Sequence, residues 1–215
     1  MRLLFATITS LGVGLFALIG SAFAEPDLVY IRIETSLGDI DVVLDQQKAP
    51  LTTANFLSYA KSGYYDQLIF HRVVRDTLIQ GGGLTKRLTY RATVDPVPSE
   101  SANGLKNERG TIAMARFDDP DSATSQFYIN LKDNPFLDRT GDVFKMDAGY
   151  TVFGRVVAGM GVADAIGEVS TGPASGERFG GIALAEEVPM DPIFILSARP
   201  ITEPDVGATS VNPAE

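Results

Sequence analysis

The chain has 215 residues, 45% of them hydrophobic and 21% charged, with a formal net charge of −9 at pH 7. That balance suits one globular domain with a single substantial core, and the acidity repels nucleic acid and anionic lipid. With no cysteine, disulfides, thiol nucleophiles, thiolate metal sites and lipid attachment through cysteine are excluded, so stability has to come from packing.

Arg2 precedes an apolar run from Leu3 to Ile19, and Ala22-Phe23-Ala24 offers a small-x-small cleavage site before Glu25. Residues 1–24 are therefore expected to be a cleaved signal peptide, with an uncleaved anchor as the alternative. Val29, Ile31 and Ile33 then alternate with Tyr30, Arg32 and Glu34, and the alternation resumes after Ser36-Leu37-Gly38-Asp39 as Ile40, Val42 and Leu44. This predicts a β-hairpin. Pro50 opens a helix whose apolar stripe is Ala54, Phe56, Leu57 and Ala60, ending at Lys61 with a Gly63 stop.

Residues 68–74 read as a strand that places the only histidine beside an arginine in an apolar run. Strict alternation puts Phe70, Arg72 and Val74 on one face and Ile69, His71 and Val73 on the other. Arg72 is expected at the edge of an apolar surface, where its planar guanidinium can meet an acceptor at reduced dielectric; the alternative is an arginine snorkelling off a half-buried strand. Gln80-Gly81-Gly82-Gly83 is unlike a packed strand interior and predicts a turn with positive φ and close backbone approach. No Gly-Lys-Ser/Thr follows, so it is not a phosphate loop.

Residues 84–110 read as surface loop and edge strand, with Lys86, Arg87 and Arg91 as a solvated strand face. Strands are predicted at 111–115, at 125–131 with Phe127, Ile129 and Leu131 on one face and Gln126, Tyr128 and Asn130 on the other, and at 150–157. A turn with an apolar tip covers 134–138, a short helix runs from Met160 to Ile166, and a last strand, Ile193-Phe194-Ile195-Leu196, is placed to pair with the first and close a barrel. Many strands with only two helices favour an antiparallel barrel, because parallel pairs need crossovers. Asp118, Asp119, Asp121, Asp138 and Asp142 lack a calcium-loop pattern and read as turn residues. One histidine cannot build a two-histidine metal site, no nucleophile elbow accompanies it, and His71 is expected to pack neutral and hydrogen-bonded rather than to act as a base.

Phe70-His71-Arg72-Val73-Val74 with Gln80-Gly81-Gly82, Gly110-Thr111-Ile112-Ala113-Met114-Ala115, Ser125-Gln126-Phe127-Tyr128-Ile129, Phe136-Leu137-Asp138 and Val152-Phe153-Gly154 resemble the cyclophilin peptidyl-prolyl isomerases, most closely their exported bacterial branch. The likeness covers about Leu28 to Arg199. It implies an eight-stranded antiparallel closed β-barrel capped by two α-helices, a substrate groove on the barrel's outer surface, proline-containing polypeptide clients, and no metal or organic cofactor. Arg72 matches the family's catalytic arginine and Gln80 the glutamine that bonds substrate backbone beside it. Ala115, Arg116 and Gln126 match groove-lining positions, and Tyr128, Leu137 and Tyr150 match pocket positions. Phe136 stands where cyclosporin-sensitive members carry tryptophan. Two positions depart from the family: Thr77 falls on the phenylalanine that packs against the proline ring, and Leu78 on the methionine beside it.

The domain organisation expected is a signal at 1–24, a cyclophilin-like domain at 25–200 and a disordered tail at 201–215. The expected function is acceleration of Xaa-Pro isomerisation during folding of exported proteins, by a periplasmic monomer free of membrane once its signal is removed. A proline-segment binding module or holdase with weak turnover is the alternative that Thr77 and Leu78 motivate.

Overall fold

The alternation read at the start of the chain forms a hairpin of β1 (Val29–Thr35) and β2 (Gly38–Leu44), with Ile31, Ile33, Ile40, Val42 and Leu44 all buried. This computed structural model describes residues 28–141, 148–173 and 187–204. The expected signal segment, Asp142 and most of the expected tail lie outside the described residues. After α1 (Pro50–Ser62) come β3 (Leu68–Val74), β4 (Leu78–Thr85), β5 (Thr111–Met114), β6 (Phe127–Asn130) and β7 (Val152–Ala158), then α2 (Met160–Gly167). Two short strands, β8 (Thr171–Gly172) and β9 (Val188–Pro189), pair with each other before the last strand, β10 (Ile193–Ile201).

Eight strands close a barrel in the order β1-β10-β3-β4-β6-β5-β7-β2, every neighbouring pair antiparallel. The last strand does pair with the first. It runs further than its apolar stretch suggests, with Ile201 opposite Tyr30, so the first residue assigned to the tail is strand. Aromatic rings fill the interior. Phe127 meets Phe56, Tyr65 and Phe70 nearly edge-on, at centroid distances of 5.4, 5.6 and 6.0 Å, the arrangement that ring quadrupoles favour.

The stripe of α1 is displaced from the expected one: Thr52, Thr53, Phe56, Tyr59 and Ala60 are buried, while Ala54 is exposed. Threonine side chains hide there because the helix start is docked by a remote carboxylate. Glu100 accepts from the N–H groups of Leu51 and Thr52 at 3.0 and 2.8 Å, supplying the cap that Ala49 cannot.

Two local readings are corrected in β3 and β4. The register of β3 against β4 shifts between Phe70 and Arg72, so strict alternation fails. Phe70 and Val73 both point into the core, and His71 and Arg72 both reach the outer groove. A bulge of this kind re-aims side chains at a barrel surface. The three glycines, expected in a turn, instead lie inside β4 and are buried. Only Gly82 has positive φ (+81°), and a Cβ on Gly83 would stand 2.4 Å from the Gln126 side chain, so close packing demands glycine in this strand. Lys86 and Arg87 lie in the turn after β4, whereas Arg91 donates to the carbonyls of Tyr64 and Asp66 and is a tether between loops rather than a solvated face.

Candidate active-site groove

A groove of about 420 Å³ runs across the outside of β3, β4 and β6, and most of the residues expected in a site converge on it. Arg72, Leu78, Gln80, Ala115, Arg116, Gln126, Tyr128, Leu137 and Tyr150 all line it. Thr77 and Phe136 do not. The β3–β4 turn explains the first: the Thr77 N–H donates to the Val74 carbonyl at 2.9 Å, Asp76 takes φ +53°, and the Thr77 hydroxyl bonds the Arg75 carbonyl, which keeps this side chain at the hairpin tip. Phe136 sits in a short 3₁₀ turn, Pro135–Leu137, and is 70% exposed. Leu78, the other departure, is 5% exposed and packs with Ala113, Tyr128 and Val152 as part of the groove's apolar wall.

A polar chain crosses the other side. Arg72 donates from Nε to Glu187 at 2.5 Å and from Nη1 to Gln80 Oε1 at 3.4 Å, and Gln80 Nε2 donates to Gln126 Oε1 at 3.0 Å. The Arg72 side chain is 34% exposed, so one side of the guanidinium is held while the rest stays open to a ligand. Arg116 is fixed too: it donates to the carbonyls of Gly149 and Phe117 and stacks 4.7 Å over the Tyr150 ring. Tyr150 in turn meets Tyr128 edge-on at 5.7 Å.

Beneath the wall, a buried network that sequence reasoning missed sets the position of Tyr128. Its hydroxyl donates to Asn107 Oδ1 at 2.7 Å, and Asn130 Nδ2 reaches the same oxygen as well as Thr111. Asn107 donates to Asp138 from both its backbone and its side chain. Asn107 is 2% exposed. Its signal in the sequence was a lone asparagine in a polar loop, indistinguishable from a turn residue. Asp138, read as a turn residue and as the end of the Phe136-Leu137-Asp138 motif but given no role, is the carboxylate that anchors this network.

His71 is 2% exposed. Burial pushes its imidazole down to about 4, the adjacent Arg72 charge adds to that, and contacts with the Ile69 backbone and the Gln126 side chain only partly offset it. The expectation of a neutral histidine holds, although Nδ1 has no hydrogen-bond partner. The unfolded chain binds a proton here near the ordinary 6.5, and the folded chain only near 4. Between those values the unfolded state holds more protons, so this group costs nothing above about pH 6.5 and destabilises the fold as pH falls toward 4. The limiting cost is on the order of 3 kcal/mol. Urea midpoints from pH 7.5 down to 4.5 should therefore fall less steeply in His71→Gln than in the wild type; parallel declines would show that His71 does not carry the effect.

Among the described residues no group of three or more His, Cys, Asp or Glu side chains is placed to hold a metal ion. What the groove can offer is an apolar wall, amide donors and acceptors for an extended backbone, and two charged planar donors, Arg72 and Arg116. Over most of its length the chain is similar to known proteins. Residues 30–199 match the family described as cyclophilin type peptidyl-prolyl cis-trans isomerase/CLD. The chain is 45% identical over 198 residues to peptidyl-prolyl cis-trans isomerase A of Dickeya dadantii, covering 92% of this chain and 96% of that protein. It is 42% identical over 167 residues to peptidyl-prolyl cis-trans isomerase B of Escherichia coli, covering 78% and 96%. Its fold is similar to the crystal structure of a cyclophilin type isomerase of Cryptosporidium parvum, with TM-score 0.61, 25% identity, and coverage of 82% and 99%. The same protein in the presence of the dipeptide Ala-Pro is similar at TM-score 0.59.

Proposed function

Given that the chain belongs to the cyclophilin-type peptidyl-prolyl cis-trans isomerases and is such an enzyme, we propose that its outer groove seats a proline segment against Leu78, Tyr128 and Leu137 while Arg72 drives the isomerisation. Rotation about an Xaa-Pro bond must break amide resonance, a barrier of about 18–20 kcal/mol that leaves the uncatalysed step taking tens to hundreds of seconds. No covalent intermediate is required. As the bond twists, the proline nitrogen becomes pyramidal and gains a lone pair, and a donor aimed at it favours the twisted state over the planar one. Arg72 supplies that donor with a planar, charged guanidinium. Gln80 and Gln126, linked to each other, hold the flanking backbone. The observation that carries the proposal is the convergence of Arg72, Gln80 and Gln126 on one side of a groove whose other side is apolar.

The placement of Thr77 removes the reason for reading the groove as a weakened binding module. A missing aromatic ring matters only at a position that faces the ligand, and Thr77 does not line the groove. Thr77→Phe should accordingly leave turnover on an Xaa-Pro peptide within about twofold. Leu78→Ala, by contrast, strips most of a buried side chain from the wall. With only 5% of Leu78 exposed, the truncation acts mainly by opening a cavity behind the wall, which lets the wall relax away from the proline ring and should weaken binding several-fold. Protease-coupled rates on one peptide decide it: a several-fold gain from Thr77→Phe would put that residue back in the pocket, and an unaffected Leu78→Ala would move the pocket elsewhere.

The setting of the activity belongs to the proposal as well. We infer export to the periplasm from residues 1–24, clients that are other exported chains, and action as a monomer. Among the described residues no helix is long and apolar enough to cross a membrane. Fractionation of cells expressing the full chain, with the mature N-terminus read by Edman degradation, tests this: a chain retained with Met1 would refute cleavage after Ala24.

A further inference from the structure

The geometry points to Glu187 as a positioning residue for Arg72, which rests on the reading of Arg72 as the donor in isomerisation. Glu187 is bound to β3 twice. Its carbonyl accepts from the Val73 N–H at 2.7 Å, and its carboxylate accepts from Arg72 Nε at 2.5 Å. The residues that follow it, β9, pair with β8 and lie against β3, so this part of the chain is braced independently of the groove.

The two side chains are 34% and 36% exposed. An ion pair so open to water contributes little to stability, and its geometric effect outweighs its energetic one. Arginine has several rotatable bonds, and without a partner its guanidinium would sample many positions across the groove mouth. A carboxylate on Nε fixes the plane of the fork and leaves the terminal nitrogens directed at the groove, where Nη1 already reaches toward Gln80. Catalysis by a single donor depends on that aim, since a displacement of about 1 Å can cost up to a hundredfold in rate. Glu187 touches neither the proline nor the reacting bond in this scheme. It acts through Arg72.

The test is a double-mutant cycle on the full chain, with turnover and KM measured on one chromogenic Xaa-Pro peptide. Glu187→Ala should lower kcat about tenfold and leave KM within twofold. Glu187→Gln, which keeps an acceptor oxygen for Nε, should recover part of the loss, and it also serves should the alanine variant fold poorly. On an Arg72→Ala background, Glu187→Ala should change kcat by less than twofold, because there is nothing left to aim. Equal losses in both backgrounds would mean a merely structural role and overturn the inference, as would unchanged or faster turnover in Glu187→Ala. Should Arg72→Ala itself keep wild-type turnover, the failure lies in the reading of Arg72 and takes this inference with it. If Arg72→Ala is inactive and Glu187→Ala is not impaired, only the positioning role is lost.

Discussion

Replacing Arg72 by alanine should lower turnover on an Xaa-Pro peptide by about ten- to hundredfold while peptide affinity stays within about threefold. A charge-assisted hydrogen bond is worth roughly 1.5 to 3 kcal/mol, and about 1.4 kcal/mol makes one decade of rate. The donor meets a lone pair that exists only when the amide is twisted, so its loss falls on the transition state and hardly on the bound ground state. Arg72→Lys should recover little. An ammonium keeps the charge but has no planar fork to satisfy Glu187, Gln80 and the proline nitrogen together. Stopped-flow isomerisation rates set beside calorimetric peptide affinities decide the point. If the alanine variant turned over within threefold of the wild type, Arg72 would not be the donor; if affinity fell as far as rate, it would be a binding residue.

Phe127→Ala should destabilise the domain by about 3–5 kcal/mol, a large part of the 5–15 kcal/mol that holds a typical domain folded. Phe127 is fully buried and meets Phe56, Tyr65 and Phe70 edge-on, so removing the ring opens a cavity bounded by three rigid neighbours that cannot collapse into it. It also abuts β4, where a Cβ on Gly82 would stand 2.8 Å from the ring. Thermal unfolding should shift down by roughly 10 °C or more, and Phe127→Leu by much less. Gln126 and Tyr128 flank Phe127 in sequence and face the groove, so turnover should fall even at temperatures where the variant stays folded. A melting point within 2 °C of the wild type would show that the ring is not the keystone of the core.

Elements whose physics is local were legible. The period-2 patterns of β1, β2 and β6 and the proline start and glycine stop of α1 follow from neighbours in sequence. The failures occurred where a distant residue decides. Nothing near Thr52 and Thr53 announces that Glu100 caps their helix, and nothing near residue 72 announces a carboxylate 115 positions away. Glycines in β4 looked like a turn because the reason for them, Gln126 and Phe127 pressing on the strand, lies on β6 and just before it. Of the residues carried over by the resemblance, Arg72, Leu78, Gln80, Ala115, Arg116, Gln126, Tyr128, Leu137 and Tyr150 gather on one groove, while Phe136, in the exposed turn Pro135–Leu137, stands outside it. At the β3–β4 turn the resemblance carried Thr77 to a wall that this hairpin, with Arg75-Asp76 at its tip, does not present.

Closure of the ring between β1 and β10 sets Tyr30 opposite Ile201, so nearly the whole domain has to be made before the first strand gains its second neighbour. Loop-closure entropy for such a span grows only logarithmically, but pairing of this contact order slows the search. While the ribosome is still extending the chain, β1 has β2 alone, and its other edge is a bare row of N–H and C=O groups; β3 waits for the same strand on its own side. A chain cut short before Ile193 would keep both edges open for good and would be expected to aggregate. Once sealed, the ring has the opposite character. A prolyl isomerase built this way presents no strand edge of its barrel for a peptide to zip onto, and each peptide, turned over, is free to leave.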